Sequence, residues 1–298
     1  MKKDLKFTGY LLLYKKIEGS TYLSRVIGDI LTYLPYMDHL YIFNFNKDDQ
    51  IDLIKALKEK HSQIEYAKLT SNGEVADYIT AMNHAKNTDS DYVTIIEEGY
   101  YYEDDCYKDI KRKIILGEIK EDVAVVSPIP VYTCEAKEDV KEEGRVVKGA
   151  HLVGTFINKK IYMSTSGFVK EYYKTTFDYD YCLTTRQMGY TIYLMNNLIL
   201  RNRNFTPITK TVLWHTYSAY QHDIYQVYYE TRNRLYLWRK FKKFDPEYIK
   251  IDRKQQSYEF KEMRLFEKKF SLIKEVINQA RGDYRNNKMG QAFKEIKY

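Results

Sequence analysis

The chain has 298 residues, of which 44% are hydrophobic and 30% charged. This apolar content supports a folded core and excludes an intrinsically disordered protein, and no run approaches the ~20 apolar residues of a membrane span. The formal net charge of +7 belongs to residues 240–298, which carry 16 Lys and Arg against 9 Asp and Glu. Because residues 1–239 are balanced and carry no nucleic-acid reader motif, we expect no nucleic-acid partner.

The cysteines indicate a reducing compartment. Cys106, Cys134 and Cys182 are far apart and match no disulfide or metal-binding spacing. No signal peptide precedes the first apolar run. We therefore expect a cytoplasmic protein, located either in solution or at the inner face of the membrane.

Strands and helices alternate in the first hundred residues. Apolar runs predict strands at 7–14, 39–45, 64–69 and 92–96, and helical spacing predicts helices at 20–34, 49–61 and 74–86. This alternation is typical of βαβ units, so the sequence predicts an α/β fold with a mostly parallel central sheet flanked by helices. Ligands of such sheets bind beyond the carboxyl ends of the strands.

The second half of the chain has a less regular pattern. Further strands are predicted at 123–127, 149–157, 191–194 and 198–200, and helices at 159–166, 180–188 and 217–241. The charged run 135–143 predicts a solvated loop. Residues 258–280 predict one amphipathic helix with Lys and Arg on its polar face. We divide the chain into an α/β domain, 1–239, and a basic helical extension, 240–298.

Asp178 and Asp180 form the most informative pair of polar residues. They lie two apart in the stretch TFDYDYCL (176–183), among aromatic residues and at the start of a predicted helix. A carboxylate against an aromatic wall tends to have a raised pKa, which suits a general base. Acidic residues are also common at helix N-termini, so the alternative is a capping Asp beside a solvated one.

Four segments, taken together, carry a resemblance to a known family. They are VTIIEEG (93–99), SNGEVA (71–76), DYDYCL (178–183) followed by Gly189-Tyr190, and His222 followed by YYETRN (228–233). Their order and spacing resemble the inverting family-two glycosyltransferases of GT-A fold. The similarity is greatest to bacterial rhamnosyltransferase-like enzymes that build cell-wall, capsular and O-antigen polysaccharides.

The resemblance implies a reaction and a base. Such enzymes transfer a sugar from a UDP- or dTDP-linked donor to a hydroxyl of a glycan or lipid-linked acceptor, with inversion at the anomeric carbon. By this resemblance Asp178 is the general base, and Asp180 orients its loop or the acceptor. A helix cap remains the alternative for Asp180.

The resemblance also implies donor-binding residues at strand ends. Glu97 and Glu98 stand where the family has ligands for the donor ribose and for Mn or Mg, and Glu98 is the candidate metal ligand. Asn44 is a candidate for hydrogen bonding to the base or ribose. Gly73 would allow the donor to approach the backbone closely, although an ordinary Asn-Gly turn explains it equally well.

The sequence departs from the family pattern at two expected metal ligands. Gly99 stands where the family has its last acidic residue, and Asn202 where a histidine often follows. Three readings stay open: weak metal binding, binding by Glu98 alone, or stabilisation of the leaving diphosphate by Arg201 and Arg203 instead. A solvated basic turn is the alternative for the two arginines.

Residues of the last third complete the implied site. His222, Arg232 and Asn233 are candidates for binding the diphosphate or an acceptor phosphate, since a guanidinium matches phosphate geometry. The alternative is a buried Arg-Asn network between helix and core. The basic extension either lies on an anionic membrane or packs its apolar face on the α/β domain or a second copy, as in a homodimer. A relative without turnover, acting as a scaffold, is the rival function.

Overall fold

The computed structural model describes residues 4–132, 142–204, 207–212, 215–220, 223–267 and 269–292. The strands are β1 (Phe7–Leu13), β2 (His39–Asn44), β3 (Ile64–Lys68), β4 (Tyr92–Glu97), β5 (Tyr100–Tyr102), β6 (Val123–Tyr132), β7 (Gly144–Val147), β8 (Phe156–Asn158), β9 (Thr191–Asn202), β10 (Pro207–Val212) and β11 (His215–Tyr220). The helices are α1 (Ser20–Leu31), α2 (Ile51–Lys58), α3 (Glu74–Lys86), α4 (Cys106–Leu116), α5 (Lys159–Ser164), α6 (Phe177–Gln187), α7 (Ile224–Phe241), α8 (Pro246–Phe266) and α9 (Phe270–Arg285).

One half of the central sheet is parallel. Strands β3, β2, β1 and β4 lie side by side in that order, and each neighbouring pair is parallel. Every residue of β1 is buried, as expected for a central strand with helices on both faces. The carboxyl ends of β1, β2 and β4 therefore meet at one edge of the sheet.

The other half of the sheet is mixed. The short strand β8 is antiparallel to both β4 and β6, whereas β6 and β9 are parallel. Strands β5 and β7 both pair with β9 in antiparallel orientation. A register shift between Pro128 and Ile129 of β6 lets one long strand, β9, replace the two strands predicted at 191–194 and 198–200.

Helices cover both faces of the sheet because the side chains of a strand alternate between its two faces. From β1, Phe7 and Leu11 join a core with α1, α2 and α4, whereas Tyr10 and Leu12 join a second core with α3, α5 and α6. The predicted α/β architecture is confirmed. Within the described residues, no helix is both long and apolar enough to cross a membrane.

Three predicted elements are wrong. Residues 149–155 form a turn-rich loop with one isolated bridge, Ile95 to Val153, and the strand begins only at Phe156. The helix predicted from 217 begins at Ile224, where Asp223 accepts the backbone N–H of Tyr225, because 215–220 pair with β10 as a hairpin. The predicted helix 258–280 is split between α8 and α9, with extended backbone at Glu267.

The apolar face of the extension packs inside the chain. Buried residues of α9 join the end of α8 and the start of α7 in one core, as the packing alternative predicts; they are Ile273, Val276, Ile277 and Ala280. The predicted boundary at 239/240 lies inside α7, and it stays a prediction. Most of the charged run 135–143 lies outside the described residues.

Candidate functional site

An acidic cluster lies at the carboxyl edge of the parallel strands. Glu97 ends β4, Glu74 and Asp77 lie in the first turn of α3, and Asp178 lies in the first turn of α6. Burial, then the charge of Glu97, raises the pKa of Glu74 to about 8, and Asp178 adds to that rise. Lys174 opposes the rise in the pKa of both Glu74 and Glu97. The four acids and Lys174 therefore interact electrostatically, and we call these five side chains the acidic cluster: Glu74, Asp77, Glu97, Asp178 and Lys174.

Asp178 is buried and held by two donors. Its Oδ1 accepts the backbone N–H of Tyr179 at 2.8 Å, and its Oδ2 lies 2.8 Å from Nδ1 of His151. Desolvation by the surrounding protein opposes the charged imidazolium of His151 although its side chain is 59% exposed, but the hydrogen bond and charge of Asp178 outweigh it, so the pKa of His151 is raised. Asp178 thus sits at a protein–solvent boundary with an ionisable partner.

Asp180 has different surroundings. Its carboxylate is almost fully buried and accepts hydrogen bonds from the hydroxyl of Tyr172 at 2.8 Å and from Nζ of Lys240 at 2.7 and 2.9 Å. It does not cap α6, because the N-cap position is Thr176. Asp180 therefore connects α6 to the end of α7, and its predicted role in orienting the loop or the acceptor stays a prediction.

The segment before α6, residues 172–176, has a strained backbone. Tyr173, Thr175 and Thr176 have φ values of 64°, 54° and 66°, which residues other than glycine seldom adopt. Asn233 donates to the carbonyls of Tyr172 at 3.0 Å and of Lys174 at 2.7 Å. The strain persists because α7 holds the segment. That segment fixes where α6 begins, and therefore the position of Asp178 in its first turn.

Arg232 and Asn233 belong to a buried network. The guanidinium of Arg232 donates to Oδ1 of Asn233 at 3.1 Å and stacks on the rings of Tyr228 and Tyr229 at 5.3 and 5.0 Å. Both residues are at most 1% exposed. These contacts match the structural alternative for this pair rather than phosphate binding. His222, the third predicted member, lies outside the described residues.

Both the backbone conformation and the lack of space for a side chain require a glycine at position 73. Its φ is 106°, and a Cβ at this position would lie 2.6 Å from the ring of Tyr173. Next to it, the backbone N–H of Val75 donates to the carbonyl of Tyr173 at 3.2 Å. Gly73 therefore brings the start of α3, with Glu74, against the segment that leads to Asp178.

The neighbouring residues Glu97 and Glu98 face different surroundings. Glu97 joins the acidic cluster and accepts the hydroxyl of Tyr78 at 3.0 Å. Glu98 accepts the backbone N–H groups of Tyr14 and Lys15 and the hydroxyl of Tyr22, at 3.0 to 3.3 Å. Glu98 thus holds the loop after β1, and its oxygens are engaged there.

The remaining predicted donor residues are also engaged within the protein. Arg201 pairs with Glu103 at 3.1 Å, and Arg203 pairs with Asp29 at 3.0 Å. Asn44 is fully buried and donates to the carbonyl of Asp48 at 2.8 Å and the hydroxyl of Tyr66 at 3.0 Å. These three residues do not join the acidic cluster through any of these contacts.

The described side chains do not assemble a metal site. In the part of the chain that the structure describes, no group of three or more His, Cys, Asp and Glu side chains is arranged to hold a metal ion. Asn202, at the position of the expected histidine, accepts the backbone N–H of Asn204 at 2.8 Å. Glu98 therefore stands without partner ligands, and the described residues do not fit a divalent cation.

Sequence reasoning missed four members of this site, namely His151, Lys174, Glu74 and Asp77. His151 lay in a predicted strand, and no local signal connects it with Asp178, 27 residues away. No sequence pattern distinguishes Lys174 from the other lysines of the chain. Glu74 did have a signal, since it is the first residue of a helix that follows the selected Gly73.

Comparison with solved structures identifies the fold. The crystal structure of GalNAc-T7 with UDP, GalNAc and Mn²⁺ matches 67% of this chain and 43% of that one, with 8% identity and a TM-score of 0.53. S. aureus TarS in complex with UDP-GlcNAc matches 78% of this chain and 67% of that one, with 10% identity and a TM-score of 0.48. The chain thus spans less than half the length of the GalNAc-T7 structure. No family model and no curated protein matches the sequence.

The fold is therefore GT-A, a mixed α/β sheet flanked by helices with further helices at the C-terminal end. This confirms the fold class predicted from the sequence. At 8% identity the similarity establishes the fold alone. The chemistry of the acidic cluster, and not the fold, bears on function.

The raised pKa of Glu74 predicts a pH-dependent stability. The folded protein holds a proton on Glu74 between pH 4.5 and about 8, whereas the unfolded chain releases it. This carboxyl group therefore destabilises the fold increasingly as the pH rises through that range. We expect Glu74→Gln to raise the free energy of unfolding by about 1–2 kcal/mol at pH 9 and to have no effect near pH 4.5.

Urea denaturation across that pH range measures the effect. Glu59→Gln, at the exposed end of α2, is the matched control and should differ from the wild type by the same amount at every pH. If the difference in free energy of unfolding between Glu74→Gln and the wild type does not change with pH, the folded protein does not hold a proton on Glu74 over this range.

Proposed function

We propose that this chain is an inverting glycosyltransferase that moves a sugar from a nucleotide-diphosphate donor to a hydroxyl of a growing bacterial surface polysaccharide. The observation that carries the proposal is the placement of Asp178. It lies in the first turn of α6 at the carboxyl edge of a GT-A sheet, with Glu74 and Glu97 beside it. Ligands of α/β sheets bind at that edge.

In the proposed reaction the acceptor hydroxyl attacks the anomeric carbon from the face opposite the diphosphate. The bond between the anomeric carbon and the diphosphate oxygen breaks, and the oxygen keeps the electron pair. General-base catalysis centred on Asp178 removes the hydroxyl proton. The transition state has oxocarbenium character.

The nature of the donor and acceptor is part of the proposal. A UDP- or dTDP-linked sugar and a lipid-linked glycan follow from the sequence resemblance, as does the rhamnosyltransferase-like type. The GalNAc-T7 structure contains UDP, which makes UDP-sugars the first donors to test. We derive no step through Mn or Mg, because the described residues do not fit such an ion.

Location and assembly are proposals as well. The extension brings large exposed hydrophobic residues to one face of α8, spaced seven apart: Ile251, Tyr258 and Leu265. Lys254 and Lys261 lie over the ring of Tyr258 at 5.7 and 5.4 Å. This face is where we place the proposed contact with a membrane surface or a second copy, and the cytoplasmic location stays a prediction.

A second candidate function is that of a catalytically impaired relative that serves as a scaffold in glycan assembly. The observation that favours it is the engagement of Glu98, Asn44, Arg201 and Arg203 in contacts within the protein. A scaffold has no need of a reactive Asp178. Donor binding and turnover separate the two functions.

Thermal unfolding with a panel of nucleotide sugars tests the proposed function. A donor bound at 100 times its Kd stabilises the native state by about 2.7 kcal/mol, which raises Tm by several degrees. We expect a shift with a UDP- or dTDP-sugar, and an equal shift with and without Mn²⁺. Absence of a shift with every donor would favour the scaffold.

A further inference from the structure

His151 is an exposed imidazole that a buried carboxylate holds. Its side chain is 59% exposed, whereas that of Asp178 is 9% exposed. The ring packs edge-on against Tyr179, at a centroid distance of 5.2 Å. Nδ1 contacts Asp178, and in the described part of the chain the other ring nitrogen, Nε2, makes no hydrogen bond.

The contact with Asp178 determines which nitrogen carries the proton. Oδ2 of Asp178, 2.8 Å from Nδ1, is an acceptor when the carboxyl is ionised, so it favours a proton on Nδ1. The neutral ring then has its lone pair on Nε2. The nitrogen that has no partner in the described residues is consequently the basic one.

Asp178 itself is poorly placed to meet an acceptor. Its Oδ1 is used by the N–H of Tyr179 and its Oδ2 by His151, and both contacts measure 2.8 Å. The side chain of Asp178 is only 9% exposed, so a hydroxyl group has little access to its oxygens from solvent. Nε2 of His151, by contrast, belongs to an exposed side chain.

We propose that His151 removes the proton from the acceptor hydroxyl and that Asp178 positions the imidazole and stabilises its charged form. This inference rests on the proposed function and names its base. The proton moves from the acceptor oxygen to Nε2, while that oxygen bonds to the anomeric carbon and the diphosphate leaves with the electron pair. The resulting imidazolium is paired with the Asp178 carboxylate, and it loses the proton to solvent after product release.

The charges around His151 are consistent with this role. Besides Asp178 on α6, the groups that act on the imidazole are Glu230 and Arg234 on α7. Arg234 is itself paired with Glu259 and Asp252 of α8, which limits its repulsion of an imidazolium. The imidazolium formed in the reaction therefore faces a largely acidic environment.

The pH dependence of transfer tests the proposal. In the wild type, kcat/KM should rise with pH as His151 loses its proton. His151→Gln keeps a donor for Asp178 but has no base, so we expect ~100-fold slower transfer at pH 8 and loss of the wild-type acid limb. His84→Gln is the matched control, because His84 is another exposed histidine whose Nδ1 is hydrogen-bonded, to Tyr10 at 2.9 Å.

Transfer by His151→Gln at the wild-type rate, with the wild-type acid limb, would overturn the role of His151 and leave the proposed function intact. Absence of transfer by the wild type with any donor would overturn the proposed function and this role together. Thermal unfolding of each variant shows whether a loss of rate reflects a loss of fold.

Nitrogen-15 NMR of the imidazole gives a readout that does not depend on turnover. We expect neutral His151 to carry its proton on Nδ1, and Asp178→Asn to lower the pKa of His151 by about one unit or more. A proton on Nε2, or a pKa that is unchanged in Asp178→Asn, would overturn the pairing on which the proposal stands.

Discussion

Asp178→Asn should abolish sugar transfer while leaving donor affinity within about twofold of the wild type. The substitution keeps the size of the side chain and removes its charge, so neither Asp178 nor an imidazole held by it can accept the hydroxyl proton effectively. General-base catalysis contributes 10²–10⁴-fold, and we expect a loss of about 10³-fold in kcat/KM. Initial rates with radiolabelled donor and a titration of donor binding measure the two quantities.

Asp180→Asn is the control, two residues further along the same helix. Asp180 is paired with Lys240, whose side chain is 44% exposed, so solvent screens part of the attraction. We expect a loss of about 1–2 kcal/mol in the free energy of unfolding, with transfer retained below the new Tm. Normal turnover by Asp178→Asn, or an equal loss of transfer in both variants, would contradict the distinct roles of the two acids.

Asn233→Ala should cause the largest loss of stability among single changes near the site. Asn233 is fully buried, and its amide donates to the carbonyls of Tyr172 and Lys174. The alanine leaves both buried acceptors without this donor and leaves Nε of Arg232 without its acceptor. We expect a loss of about 3 kcal/mol in the free energy of unfolding, measured by chemical denaturation.

The same variant should also transfer sugar more slowly at temperatures where it remains folded. The strained residues Tyr173, Thr175 and Thr176 relax once the amide no longer holds their segment, and Asp178 then moves with the start of α6. Gln226→Ala, on the same helix, removes only a bond to Glu230 at 2.8 Å and should cost about 0.5 kcal/mol. Stability losses of similar size in the two variants would show that the network does not hold the segment.

The first half of the fold could be predicted from the sequence because its signals are local. Four strands and three helices alternate there, and β1, β2 and β3 each pair with the strand that follows or precedes them in sequence. The hairpin of β10 and β11 escaped prediction because its aromatic residues fit a helical pattern as well as a strand. The break between α8 and α9 escaped it because one continuous apolar stripe runs through both helices.

The site was predictable only in part. Asp178 could be selected as a candidate because the aromatic and acidic residues next to it in sequence distinguish it. The ion pair of Arg203 with Asp29 could not be predicted, because the two residues are 174 positions apart and no residue near Arg203 indicates that partner. Glu97 and Glu98 are adjacent in sequence, yet one faces the acidic cluster and the other the loop after β1. Such differences depend on the folded sheet, which the local pattern does not contain.

Helix α7 forms hydrogen bonds at two points with the segment that carries Asp178. Asn233 holds residues 172–175 and Lys240 holds Asp180, seven residues apart on one helix or about 10 Å along its axis. Helices α8 and α9 also pack against α7. The C-terminal extension is thus mechanically linked to Asp178, so a force or a partner that displaced α8 and α9 would change the geometry of Asp178 without contacting the acidic cluster. Removing residues 240–298 to isolate the α/β domain would, for the same reason, remove Lys240, α8 and α9 together and loosen the support of the segment that carries Asp178.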